Sequence, residues 1–258
     1  MSDFLDTLAK AARETIQSGY YEKVKPTASV HASLRKAILQ RKKNPVITEI
    51  KAASPSLGTI RGSINPKEIA MAMEKGGAVG ISVLTEPKHF NGSLQALSEA
   101  RGAVNLPILM KDIVIIPEQL EVASQVGANA VLLIEALFEK GFCETSVDKM
   151  IAFAHAKGLE VLLETHTEEE FRSAIETNAD IVGINNRNLG TLKIDLNTTK
   201  EILKRNNTHG KVVVSESGIK TPEDLRFLRQ CGAKAFLIGS AIMLTENIED
   251  KVKEFVEA

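Results

Sequence analysis

The sequence predicts an α/β chain closed into a (β/α)8 barrel behind an N-terminal helical extension, and three observations carry that prediction. The first is an internal repeat: GGAVGISVL from Gly76, VGANAVLLI from Val126, TNADIVGIN from Thr177 and CGAKAFLIG from Cys231 recur about every fifty residues, the length of two βα units. The second is an interleaved set of apolar runs, PVITEIK from Pro45, LPILMKD from Leu106, LEVLLETH from Leu159 and KVVVSESG from Lys211. Together they give eight strands separated by helical patterns. The third is length, since eight βα units in 258 residues fill one barrel of the TIM class as one domain, residues 1–258. A doubly wound sheet is the rival. The near-regular repeat offers it no switch point, and no G-x-G-x-x-G follows the first strand.

The elements follow in order. Residues 1–45 carry two helical patterns, one presenting Phe4, Leu5, Leu8 and Ile16 and one around Leu34, Ile38 and Leu39. This extension holds nine Lys or Arg against four Asp or Glu, so it carries +5 and the rest of the chain -6. Such a charge either solvates helix faces or steers an anionic substrate. Helical patterns then occupy Pro66–Lys75, Pro117–Val126, Glu168–Glu176, Asn197–Asn206 and Thr221–Cys231. Pro66, Pro117 and Pro222 stand at helix starts, where a missing N–H costs nothing. In each repeat a Gly or Asn can take the left-handed conformation that ends a helix. The stretch Glu135–Asp148 reads as irregular and receives no catalytic role.

Composition excludes several functions. With 43% hydrophobic and 25% charged residues and net charge -1, the chain is of the ordinary globular kind. Nine Phe, two Tyr and no Trp leave no aromatic platform for nucleic acid, and no long apolar run suits a membrane. Cys143 and Cys231 form neither a C-x-x-C nor a metal cluster, so they read as buried, reduced thiols of a cytoplasmic protein with no metal. A monomer is the expectation.

In a barrel of this kind the chemistry stands at the C-terminal ends of the strands. Those ends are polar: Glu49 and Lys51 on the first, Lys111 on the third, Glu164 on the fifth, Asn185 and Arg187 on the sixth, Glu216 and Ser217 on the seventh. Because side chains alternate, Glu49 with Lys51, Leu109 with Lys111, Leu162 with Glu164 and Gly183 with Asn185 share the inner face. Ile50, Met110, Leu163 and Ile184 then point outward to the helices. A structural ion-pair network is the alternative. Burying four charges costs several kcal/mol of hydration each, which apolar residues would avoid, so their convergence points to function. The turns Ser215-Glu216-Ser217-Gly218 and Ile238-Gly239-Ser240 offer backbone N–H groups to an anion, and Arg187 adds a charge-assisted clamp.

These residues resemble one family closely, that of indole-3-glycerol phosphate synthase. The matching motifs are Glu49-Ile50-Lys51-Ala52-Ala53-Ser54-Pro55-Ser56, Ser82-Val83-Leu84-Thr85-Glu86, Phe90-Asn91-Gly92, Lys111-Asp112, Leu163-Glu164-Thr165-His166, Gly183-Ile184-Asn185-Asn186-Arg187, Glu216-Ser217-Gly218 and Ile238-Gly239-Ser240. They run through all eight strands, and the first is the most specific.

The resemblance implies ring closure of 1-(2-carboxyphenylamino)-1-deoxyribulose 5-phosphate to indole-3-glycerol phosphate, with loss of carbon dioxide and water and no cofactor. It implies a catalytic set of Glu49, Lys51, Lys111, Glu164, Asn185 and Ser217. Lys111 suits a general acid and Glu164 the later acid–base step, while Glu49 orients the lysines and Asn185 positions substrate. Lys51 pairs the substrate carboxylate or serves as second acid, and the residues leave that choice open. Phosphate falls to Ser54, Arg187, Gly218, Gly239 and Ser240, with Glu216 beside them, and Phe90 and Leu132 line the anthranilate pocket. Ile113 stands where family members commonly have Phe, which removes an aromatic wall. Residues 54–65, with Pro55, Gly58 and Gly62, read as a mobile lid. The related isomerase of phosphoribosylanthranilate would want a Cys on the first strand, which offers Glu49 and Lys51. A non-catalytic phosphate-binding barrel would need Arg187 and the glycine turns but neither lysine nor Glu164.

Overall fold

The structure is a computed structural model that describes residues 4–22, 24–27, 30–54, 58–60 and 64–258. Its centre is a closed barrel of eight parallel strands: β1 (Val46–Ile50), β4 (Gly80–Leu84), β5 (Ile108–Lys111), β6 (Ala130–Ile134), β7 (Glu160–Thr165), β8 (Ile181–Asn185), β9 (Val212–Glu216) and β10 (Ala235–Ile238). β10 closes on β1, with Val46 opposite Phe236 and Thr48 opposite Ile238. Between β1 and β4 lies a small antiparallel ribbon, β2 (Ala53–Ser54) with β3 (Gly58–Thr59), which sequence periodicity did not reveal. The remainder of the expected lid, residues 55–57 and 61–63, lies outside the described residues.

Alternation along the strands sorts the apolar side chains into two cores. Ile47, Leu109, Leu132, Leu162, Ile181 and Val214 fill the barrel interior. Ile50, Met110, Leu163 and Ile184 pack in the outer layer against the helices, so the inward phase of Glu49, Lys111, Glu164 and Asn185 is as the sequence indicates. Among the described residues, no helix is long and apolar enough to cross a membrane.

The extension forms α1 (Phe4–Gln17) and α2 (Leu34–Gln40), which join the inner core at opposite ends. α2 seals the N-terminal mouth. Its cap residue Ser33 accepts from Lys36 N–H at 3.0 Å and donates to Glu160 at the start of β7, and Arg35 N–H donates to the same carboxylate at 3.0 Å. Leu34, fully buried, is the plug. We expect Leu34→Ala to cost about 2–5 kcal/mol, read as a lower denaturant midpoint with turnover at 25 °C unchanged. An unchanged midpoint would mean that α2 contributes nothing to closing the barrel.

Several helix boundaries differ from the sequence reading, each for a local reason. Pro66 and Pro222 begin α3 (Pro66–Lys75) and α10 (Pro222–Gln230), but Pro117 is itself the residue before α5 (Glu118–Gln125). Three repeat turns use left-handed Gly77, Gly127 and Gly232, whereas Asn178 has no positive φ. There α8 (Glu168–Glu176) ends instead in extended Thr177, whose hydroxyl donates to Ala174 C=O at 2.7 Å. The stretch Glu135–Asp148 is not irregular throughout, because α6 (Glu135–Glu139) opens it and α7 (Val147–Ala156) begins within it. Cys143 and Cys231 are free but only half-buried.

Candidate active site

At the C-terminal mouth Glu49 is the electrostatic centre. One carboxylate oxygen lies 2.8 Å from Lys51 Nζ and the other 3.1 Å from Lys111 Nζ. Burial would raise this carboxyl, but the two ammonium groups overcome it and hold the pKa at about 2. Lys111 also reaches Glu216 Oε2 at 3.3 Å. Burial would lower the Lys111 pKa, yet Glu49, Glu216 and Glu164 together push it well above the ordinary lysine value. The ammonium is therefore charged at any physiological pH.

Three carboxyl groups around one ammonium cannot all ionise cheaply, and Glu216 is the one whose pKa is raised, to about 8. It is fully buried, its Oε1 has no hydrogen-bond partner, and burial with the Glu164 charge pushes its pKa up against the opposing pull of Lys111. Glu164 goes the other way. Burial opposes its ionisation, while His166, Lys111 and Asn185 favour it strongly enough to lower its pKa.

Glycine decides where Glu216 sits. A Cβ at Gly183 would come 2.2 Å from Glu216 Oε1 and 2.9 Å from Leu162 Cδ2. Gly183→Ala should therefore push Glu216 off Lys111 and lower kcat by about 10²-fold, the cost of roughly an ångström of misplacement. A kcat within threefold of wild type in a folded variant would show that Glu216 does not set the Lys111 geometry.

Nine of the sequence-predicted residues line one cleft: Glu49, Lys51, Phe90, Lys111, Leu132, Glu164, Asn185, Arg187 and Ser217. Gly218, Gly239 and Ser240 line an adjoining cleft that shares Arg187, Ser217 and both lysines. Glu216, expected beside the phosphate contacts, lines neither cleft and lies fully buried against Lys111. The Ser54 side chain falls outside the described residues. Among the described residues no group of three or more His, Cys, Asp and Glu is arranged to hold a metal ion.

The remaining walls escaped the sequence reading. Phe4 and Leu8 of α1 enter the first cleft beside Ile113 and Ile134, so the amphipathic face of the extension is a roof over the barrel mouth. Tyr21 ties that roof down by donating to Asp112 at 3.0 Å, while burial raises the Asp112 pKa to about 6. Glu86 accepts from the backbone N–H groups of Lys88, His89 and Phe90, which fixes the turn presenting Phe90. Asn186 joins the ends of β8 and β9 by donating to Ser215 Oγ and to the carbonyls of Glu216 and Ser217. Ser217 is held at φ 66°, a left-handed conformation uncommon for a residue with a side chain. The apolar spacing of α1 and the motifs that contain Glu86, Asp112 and Asn186 mark these residues along the chain, but not the contacts they make. The partners of Glu86 are backbone N–H groups, and those of Asn186 are backbone carbonyls together with the Ser215 and Thr199 hydroxyls of neighbouring elements, contacts that a sequence pattern does not mark.

Proton donors and acceptors that converge on one mouth of a parallel barrel place the chain among the (β/α)8-barrel enzymes. The family model for indole-3-glycerol phosphate synthase matches residues 5–255, and the chain belongs to that family. The indole-3-glycerol phosphate synthase of Methanocaldococcus jannaschii is 48% identical over 231 residues, 86% of this chain and 82% of that one. That of Pyrococcus furiosus is 42% identical over 228 residues, covering 87% and 97%. Among solved structures, a thiamine phosphate pyrophosphorylase from Pyrococcus furiosus superposes with a TM-score of 0.62 at 16% identity, covering 86% of this chain and 96% of that one. At that identity the likeness concerns the fold alone.

Proposed function

We propose that the chain catalyses the ring closure, decarboxylation and dehydration of 1-(2-carboxyphenylamino)-1-deoxyribulose 5-phosphate to indole-3-glycerol phosphate. The observation that carries the reading is the order of environments along the mouth. An apolar compartment of Phe4, Leu8, Phe90 and Leu132 suits the anthranilate ring, and the paired lysines with Glu164 occupy the middle. Arg187, Gly218, Gly239 and Ser240 at the far side suit the phosphate. Ile113, nearly fully buried, keeps that first compartment apolar where the family commonly has Phe.

In this reading Lys111 donates a proton to the ketone oxygen while the aromatic carbon bearing the carboxylate attacks the ketone carbon. Loss of carbon dioxide restores the aromatic ring. The new hydroxyl then leaves as water after protonation, and Glu164 takes the proton whose removal forms the indole double bond. Lys51 pairs with the substrate carboxylate or protonates the departing hydroxyl, with Glu49 holding both ammonium groups in register. Asn185 and Ser217 position substrate, and Ser54 joins the phosphate contacts. Glu216 acts through Lys111. The chain is read as one domain over residues 1–258 and as a cytoplasmic monomer. Purified protein given the carboxyphenylamino substrate should generate indole fluorescence; a chain that binds the substrate without producing the chromophore would overturn the assignment.

A further inference from the structure

His166 follows β7 directly, two residues beyond Glu164, and does not line the substrate cleft. Its ring is clamped between two carboxylates: Nε2 lies 3.1 Å from Glu164 Oε1, and Nδ1 lies 3.2 Å from Glu170 Oε2. Glu170 is itself fixed, because its Oε2 accepts from His166 N–H at 2.7 Å and its backbone N–H is capped by Thr167. The three side chains are between 3% and 8% exposed, so water does not screen the contacts.

A neutral imidazole carries one N–H and one lone pair. With a carboxylate oxygen at each nitrogen, a neutral ring would set one lone pair against another. Either the ring is an imidazolium or one of the two carboxyl groups carries the proton, and a proton on Glu164 would leave it unable to accept one. Nε2 approaches Glu164 off the N–H axis, so the contact there works through charge more than through an aligned hydrogen bond.

Resting on the function proposed above, we infer that His166 is a positioning residue: an imidazolium held by Glu170 that keeps Glu164 ionised and aimed into the cleft. The charges around the pair are compatible with this. Glu164 also feels Lys111 from β5, Asn185 from β8 and Glu216 from β9, while Glu135 and Glu139 of α6 add negative charge near Glu170. Burial disfavours the charged ring, yet the two flanking carboxylates raise the His166 pKa to about 9. Glu170 opens α8 and reaches back from the helix to the strand end, so the βα turn delivers the clamp without occupying the cleft.

The experiment compares pH profiles of kcat and KM for the full-length wild type, His166→Gln and Glu170→Gln. His166→Gln should move the acid limb of kcat upward by about one pH unit or more, a tenfold or greater loss on that limb. Its plateau rate should fall less than about tenfold and KM should change less than about threefold. Glu170→Gln should move the same limb in the same direction by a smaller amount. A uniform drop at every pH with the limb unmoved in either variant would overturn the proposal, since a merely structural role produces that pattern. Nitrogen-15 NMR of the imidazoles, with His166 assigned by its loss in His166→Gln, adds a readout that needs no substrate. A doubly protonated ring at neutral pH that turns neutral at lower pH in Glu164→Gln supports the clamp; a neutral ring in wild type sinks it. A wild type that binds substrate without turnover would refute the proposed function while the ring still decides the clamp. If His166→Gln fails to fold, the Glu170→Gln profile and the Glu164→Gln response of the one imidazole near Glu164 decide it.

Discussion

Lys111→Met is expected to lower kcat by about 10³-fold or more while product affinity changes less than about tenfold. The side chain ends between Glu49 and Glu216, at 3.1 and 3.3 Å, with its charge held by those carboxylates and by Glu164. In the proposed mechanism it is the acid that protonates the ketone oxygen, and methionine fills the space without a proton or a charge. Removing one partner of a buried ion pair usually costs about 3–5 kcal/mol of stability. The loss here should be smaller, because Glu49 keeps Lys51 at 2.8 Å and Glu216 already favours its neutral form. Single-turnover fluorescence separates chemistry from product release. A rate within tenfold of wild type would move the acid role to Lys51.

Glu164→Gln should lower kcat by about 10²–10⁴-fold, the usual worth of a positioned acid–base group. The amide keeps the shape and can still meet Asn185 and His166, but it cannot accept the final proton. Burial opposes ionisation of Glu164, and His166, Lys111 and Asn185 overcome it, so its pKa lies below the ordinary value of 4.5. The base form is thus present throughout the neutral range and is lost only as pH falls through that lowered value. The same depressed pKa contributes stability above the unfolded carboxyl pKa and loses it on further acidification. Wild-type kcat should therefore show no acid limb above about pH 5, and Glu164→Gln should show a low rate that does not depend on pH there. A glutamine variant with near wild-type turnover would leave the last proton to water.

Much of this site is legible in the chain because strands alternate. Once Ile50, Met110, Leu163 and Ile184 are assigned outward, Glu49, Lys111, Glu164 and Asn185 must point to the barrel interior, and the outer core confirms that phase. Ile113 was legible as a lost aromatic ring, though not as the buried side chain that lines the cleft. Asn178 misled for a different reason, since a helix end is set by whichever group meets its last backbone atoms, and several residue types can do so.

The sequence by itself determined the eight strands, their inward phase and the identity of the charged groups at the mouth, because these depend on residue type and a period of two. Only the tertiary structure decided that α1 roofs the cleft with Phe4 and Leu8, that Glu216 sits under Lys111 in the space left by Gly183, and that His166 lies between Glu164 and Glu170. The protonation of each group follows from those contacts. Burial and charges a few ångströms away, contributed by other strands and helices, fix a pKa, and no spacing along the chain encodes that distance.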